Sequence, residues 1–223
     1  MLKKIPRYGW FVGLAFLCFE FFLYRLANDM SRLFGTYNWA MIPKIPAIDD
    51  RIPFVGGFVI IYLYSYFFWI CGPAIATLTG RKNFINYLIG LTASYLVGFL
   101  FFFFMPTYMD RIAEGLLVRA EGPGLIPALL RFTYYNDGAE QAFNLFPSYH
   151  CLISIYCYLA VRKRPEIPTG IKVYSVVMTI LICLSTVLIK QHYVVDVFGG
   201  LLIPIVCYAA VRKIDPARRF FSF

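Results

Sequence analysis

Six stretches of this chain are too long and too apolar to lie in open water. They run approximately over Tyr8–Arg25, Phe54–Leu78, Phe84–Met105, Ala142–Val161, Ile171–Ile189 and Val194–Val211, separated by Pro, Gly or charged residues. An α-helix rises about 1.5 Å per residue, so roughly 20 apolar residues cross a hydrocarbon core about 30 Å thick. A chain that is 60% hydrophobic and only 15% charged matches that solvent rather than water. The expectation is an all-α integral membrane protein, a six-transmembrane-helix bundle forming a single membrane domain over residues 1–223. No low-complexity tract or fixed-period repeat divides it. The first run follows a basic start at Lys3, Lys4 and Arg7, but it is rich in Phe and lacks a small-residue cleavage pattern, so it reads as a retained helix.

Six crossings put both termini on one side. Lys and Arg gather there, at Lys3, Lys4, Arg7, Arg81, Lys82, Arg162, Lys163, Arg164, Lys172 and in the 212–219 tail, against Glu166 and Asp215. The other side carries most of the acids, including Asp29, Asp49, Asp50, Asp110, Glu114, Glu121, Asp137 and Glu140. Short cytoplasmic loops retain positive charge, which makes both termini cytoplasmic in the cell membrane. The net charge of +9 is then explained by topology and anionic lipid, with no nucleic-acid partner.

The six cysteines all fall in apolar runs without a CxxC pair, so neither a disulfide framework nor a metal site is expected. Two long connections, 26–53 and 106–141, lie on the outer side. The second contains RIAEGLLVRAEG and PALLRFTYY, which mix apolar and basic residues at helical spacing and predict short interfacial helices.

Ionisable groups at membrane depth are costly and usually functional. The chain has two histidines, and both fall near outer helix ends: His150 in FPSYH and His192 in KQHYVVD. Asp196 stands four residues after His192; on a helix it would accept a hydrogen bond from the protonated Nδ1, fix the tautomer and leave Nε2 free as a nucleophile. His150 has no acid at that spacing and suits proton delivery to a leaving oxygen. Ser148, where a helix opens, favours an anion together with unpaired backbone N–H groups. Arg111 and Lys190 are candidate counter-charges for a phosphate.

These residues resemble the type 2 phosphatidic acid phosphatase superfamily, which includes lipid phosphate phosphatases, bacterial undecaprenyl-diphosphate phosphatases and lipid phosphotransferases. Pro147-Ser148-Tyr149-His150 matches its Pro-Ser-Gly-His motif at three positions, and Ser185, His192 and Asp196 match its Ser-Arg-x5-His-x3-Asp spacing. Arg111, five residues past Pro106, stands for the arginine of the first motif, so all three motifs fall within 106–200. The resemblance implies a metal-independent, cofactor-free hydrolase that cleaves a lipid phosphomonoester or diphosphate. Candidate substrates are undecaprenyl diphosphate, phosphatidate or phosphatidylglycerol phosphate, with the site on the outer side of a membrane that is bacterial by the closest motif pattern. It gives His192 the phosphohistidine, Asp196 its orientation, His150 the acid–base role, and Ser148 and Arg111 the phosphoryl oxygens.

Departures are specific. Thr186 replaces the motif-three arginine, Phe104 and Ile112 replace a lysine and a proline near Arg111, and Tyr149 replaces a glycine. Clamps on a phosphoryl group are often worth about 3 kcal/mol, and Lys190 is the expected replacement cation. HYVVDV also resembles sphingomyelin-synthase-like transferases, which makes head-group transfer the alternative; a non-enzymatic transporter or scaffold is a second. Gly199 and Gly200 read as helix-contact residues. Glu20, inside the first run, requires a partner the sequence does not name.

Overall fold

The computed structural model describes residues 5–220; Lys3 and Lys4 of the basic start lie outside the described residues. Helix α1 (Arg7–Phe34) is followed by the short α2 (Pro46–Asp49), then α3 (Val59–Ala76) and α4 (Arg81–Phe104). The ribbon strand β1 (Tyr108–Asp110), α5 (Leu116–Arg119), α6 (Leu125–Asn136) and strand β2 (Gln141–Phe143) come next. The chain closes with α7 (Tyr149–Val161), α8 (Thr169–Leu188), α9 (Val194–Ile214) and α10 (Pro216–Phe220).

Five stretches are long and apolar enough to cross a membrane: Arg7–Phe34, Gly56–Thr79, Arg81–Phe104, Thr169–Leu188 and Val194–Arg219. The expected fourth crossing differs. Residues 142–148 form β2 and an irregular turn, leaving α7 with 13 residues, or about 20 Å, too short to span the core alone. Eleven of those 13 residues are buried, because α3, α4, α8 and α9 surround the helix. A central helix can therefore begin below the membrane surface without meeting lipid.

The first helix also differs from expectation, continuing nine residues past Arg25 to Phe34. It stops where Gly35 takes a left-handed backbone (φ 68°) and its N–H caps the last turn. The Lys/Arg-rich ends come together: Tyr8 packs on Phe84, and Lys82 pairs with Asp215 at 2.5 Å.

At the opposite end, residues 106–145 form a folded cap. Strands β1 and β2 pair antiparallel, Tyr108 facing Phe143 and Asp110 facing Gln141, an element the all-α expectation lacked. Helices α5 and α6 occupy the two segments whose spacing was helical. The cap has its own core, with Met109, Leu116, Leu130, Tyr134 and Leu145 packed on Ile189 and Tyr193. Each such side chain contributes about 1.5–3 kcal/mol through apolar burial, so this connection is ordered by packing.

Candidate active site

The floor of the site is the junction between two helix starts. The backbone N–H of Ser148, just before α7, donates to the carbonyl of Asp196 in the first turn of α9 at 3.0 Å. The junction is tight because Gly200 faces it. A Cβ there would stand 2.5 Å from the Ser148 carbonyl oxygen and 2.8 Å from Cys151 Cβ, and one on Gly199 would meet the Phe146 ring at 2.4 Å. Both glycines thus serve close contact, as their sequence position suggested.

His150 is the second residue of α7. Its imidazole stacks on the Tyr62 ring, 3.9 Å between centroids at 17°, with the Trp69 ring set edge-on at 4.8 Å. His192 lies in the turn before α9, so the pair with Asp196 is not made on a helix face as the sequence reading supposed. Asp196 is the third helical residue and reaches back over the helix start. Its Oδ2 accepts the Tyr193 backbone N–H at 2.9 Å and stands 3.4 Å from His192 Nδ1. The carbonyl of Thr186 accepts the N–H groups of both Gln191 (2.9 Å) and His192 (3.1 Å), which fixes that turn. Where the family motif has a guanidinium, this chain has a buried hydroxyl donating to its own helix, to Cys183 O.

The two imidazole centroids are 6.3 Å apart. Ser148 Oγ, His150 Nε2, Gln191 Nε2, His192 Nδ1 and Asp196 Oδ1 are all buried without a hydrogen-bond partner. Native interiors rarely leave polar atoms unsatisfied, and five at one junction mark it as built for something other than packing.

Arg111 is fully buried one layer above. Its guanidinium donates to the carbonyls of Tyr134 (2.9 Å) and Gly138 (3.0 Å), to the Asp137 carboxylate (2.8 Å) and to the Gln191 side-chain oxygen (2.5 Å). Arg111 is thereby linked to the residue next to His192, with its Nε left over. Lys190 is placed differently from the expectation. In a left-handed conformation (φ 54°), it sends its ammonium to the carbonyls of Asp49 (2.9 Å) and Ile52 (2.6 Å), and burial lowers its pKa below the ordinary lysine value. It shares a small crevice with His192 but does not line the main cavity.

That cavity, about 600 Å³, is lined by both histidines. Much of its wall comes from α1, through Glu20, Tyr24, Arg25, Asn28 and Arg32. Apart from Glu20, the sequence reading missed this wall, since it ended the first helix at Arg25. The signal was present as Glu20, Tyr24 and Asn28, polar groups recurring every four residues on one face. Tyr24 donates to the Asp137 carboxylate and to Phe143 O (3.0 Å), and Asn28 accepts from the Asn144 amide (3.2 Å) and from the Tyr37 hydroxyl, so α1 is pinned to the cap. Exposed Phe21, Phe132 and Tyr135 form the rim between α1 and α6. Among the described residues, no three His, Cys, Asp or Glu side chains come together to hold a metal ion.

Comparison with known proteins gives one family. Its model, described as the PAP2 superfamily, matches residues 53–210 and takes in both histidines, Asp196, Ser148 and Arg111. No curated protein and no solved structure matches the chain. The matched span begins just before α3 and ends within α9, with α1 outside it, and the chain belongs to the PAP2 superfamily.

Proposed function

We propose that the chain is a membrane lipid phosphatase that works through a phosphohistidine on His192. Membership of the superfamily supports a phosphatase- or phosphotransferase-type activity. The observation that carries the finer reading is the pair of imidazoles 6.3 Å apart on one cavity floor, with only His192 backed by a carboxylate, at 3.4 Å. With Asp196 holding the Nδ1 proton, the Nε2 lone pair of His192 attacks phosphorus. The bond from phosphorus to the lipid oxygen breaks, and His150 delivers its proton to that oxygen. In the second step His150 takes a proton from water, the water oxygen bonds to phosphorus, and the bond to Nε2 breaks. Ser148 and the unpaired N–H groups at the start of α7 hold the phosphoryl oxygens, with Arg111 above them. Lys190 braces the turn that carries His192 and makes no contact with phosphate. The exposed rings between α1 and α6 give the lipid tails a side exit. In this reading both termini are cytoplasmic and the cavity opens outward.

Head-group transfer to an alcohol is the second reading, favoured by a cavity larger than a phosphate and walled by polar groups of α1. Purified protein offered undecaprenyl diphosphate, phosphatidate and phosphatidylglycerol phosphate, with and without an alcohol, separates the two. Free phosphate without acceptor, an acid-labile labelled protein intermediate and its loss in His192→Ala support the phosphatase. Transfer product without free phosphate supports the transferase and overturns the first reading.

A further inference from the structure

Glu20 is 6% exposed in the middle of α1, and its Oε2 is buried without a hydrogen-bond partner. It makes no ion pair among the described residues, yet it lines the cavity that holds both histidines. A carboxyl group at this depth is costly unless something compensates it. Counting about 1.5 Å per residue from the Lys/Arg-rich end, Glu20 on α1 and His150 on α7 both stand roughly 18–20 Å up. The Tyr66 ring joins the two places, stacking on Phe21 at 5.6 Å and meeting the His150 ring edge-on at 5.7 Å.

The other charges of the cavity are committed or distant. Asp137 is held by Arg111 at 2.8 Å, while Arg25, Asp29 and Arg32 are exposed along the part of α1 that leads outward. Of the Asp, Glu, Lys and Arg residues lining the cavity, Glu20 is thus the one that is both buried and unpaired, and the rings of Phe21, Tyr62 and Tyr66 line the cavity with it. A lone carboxylate among aromatic rings is the chemistry that recognises an ammonium group, through Coulomb attraction and the ring quadrupoles together. An ammonium group brought beside Glu20 would hold this buried carboxyl in its ionised form, whereas a bare phosphate dianion would disfavour that form.

We propose that Glu20 and the rings beside it form a subsite for an ammonium group carried by the lipid substrate within a few bonds of its phosphate. The proposal rests on the phosphoryl site at His192 and adds a substrate class to it. Two sources supply that chemistry, an amine in the head group or an amine on the lipid backbone.

The test uses the full chain in detergent micelles with His192→Ala, which stops turnover, and measures binding by calorimetry. The probes are dihexanoyl phosphatidylethanolamine, a short-chain sphinganine 1-phosphate, dihexanoyl phosphatidate and dihexanoyl phosphatidylglycerol. One amine probe is expected to bind about tenfold more tightly than phosphatidate, and whichever it is identifies the source. Adding the isosteric Glu20→Gln is expected to bring that probe level with phosphatidate. Equal or tighter binding of phosphatidate, tighter binding of phosphatidylglycerol than of either amine, or a preference that survives Glu20→Gln overturns the subsite. If Glu20→Gln does not fold, the probe order in His192→Ala decides alone. The phosphoryl-site reading fails separately, if His192→Ala retains turnover.

Discussion

Arg111 has the most partners of any side chain around the site, and its partners define what can replace it. It is fully buried, and its fork of donors serves two backbone carbonyls, the Asp137 carboxylate and the Gln191 amide oxygen. A lysine offers a point charge on a flexible stem and cannot reproduce that fork. Arg111→Ala leaves the Asp137 carboxylate uncompensated and is expected to cost about 3–5 kcal/mol, read as a lowered melting temperature in detergent. Arg111→Lys should recover only part of the loss. At His192, alanine is expected to remove turnover, and Asp196→Asn to lower kcat by about 10²-fold or more, both read as phosphate release. The proximity of these residues was legible in the sequence, because the spacing put an acid four residues after His192 and placed His150 at the same depth, and the structure brings the three together. Lys190 was not legible in the same way. Its proximity in sequence to His192 suggested a counter-charge, but a left-handed backbone turns its side chain toward Asp49 and Ile52, and sequence does not reveal that turn.

Among elements, the segment 49–55 and the loop 188–194 act as one clamp. Lys190 donates to the Asp49 and Ile52 carbonyls, the Asp49 carboxylate accepts the Val194 N–H at 2.9 Å, and Val55 N–H donates to Leu188 O at 2.9 Å. If Lys190 acts by holding this loop, Lys190→Ala and Asp49→Ala should each lower kcat about tenfold, and the double variant should fall well short of the product of the two. Full additivity would separate the two residues. The α7–α9 junction gives a second expectation. Gly200→Ala forces a Cβ against the Ser148 carbonyl, so it should displace the start of α7 and lower activity at least tenfold, while Gly170→Ala, facing open space, should change neither activity nor melting temperature. The long helices were legible from apolar length. The short α7 was not, since residues 142–148 are apolar enough to continue a helix yet are claimed by pairing with β1 and by the turn before Ser148. Hydropathy reports solvent preference and is silent about strand pairing.

For the whole molecule, the arrangement of ends tests the proposed orientation. Arg164, Lys82 and Asp215 line one pocket at one end, while the cap and cavity lie at the other. Single cysteines placed at exposed Glu121 and Glu166, in a background without the native ones, should react oppositely with a membrane-impermeant maleimide on intact cells. Labelling at 121 and protection at 166 fits an outward cavity; the reverse would invert the molecule. The charge asymmetry that motivates this orientation was fully legible; the polar face of α1 was also written in Glu20, Tyr24 and Asn28, but that this face lines the cavity depends on how distant segments pack.

The 13 residues of α7 carry a consequence for the chemistry proposed at His150 and His192. In the proposed reaction, a helix that begins partway down would set the phosphorus at the bottom of a shaft, about 12 Å below the membrane surface if the core is about 30 Å thick. Water must descend that shaft in competition with whatever else fills it. The partition between hydrolysis and transfer would then depend on occupancy, because under the proposed mechanism the same two histidines would serve any hydroxyl that arrives. Narrowing the shaft with a bulky side chain at Asn28 should shift products toward whichever acceptor is the smaller, and a single residue on the helix outside the family's matched span would decide between phosphatase and transferase.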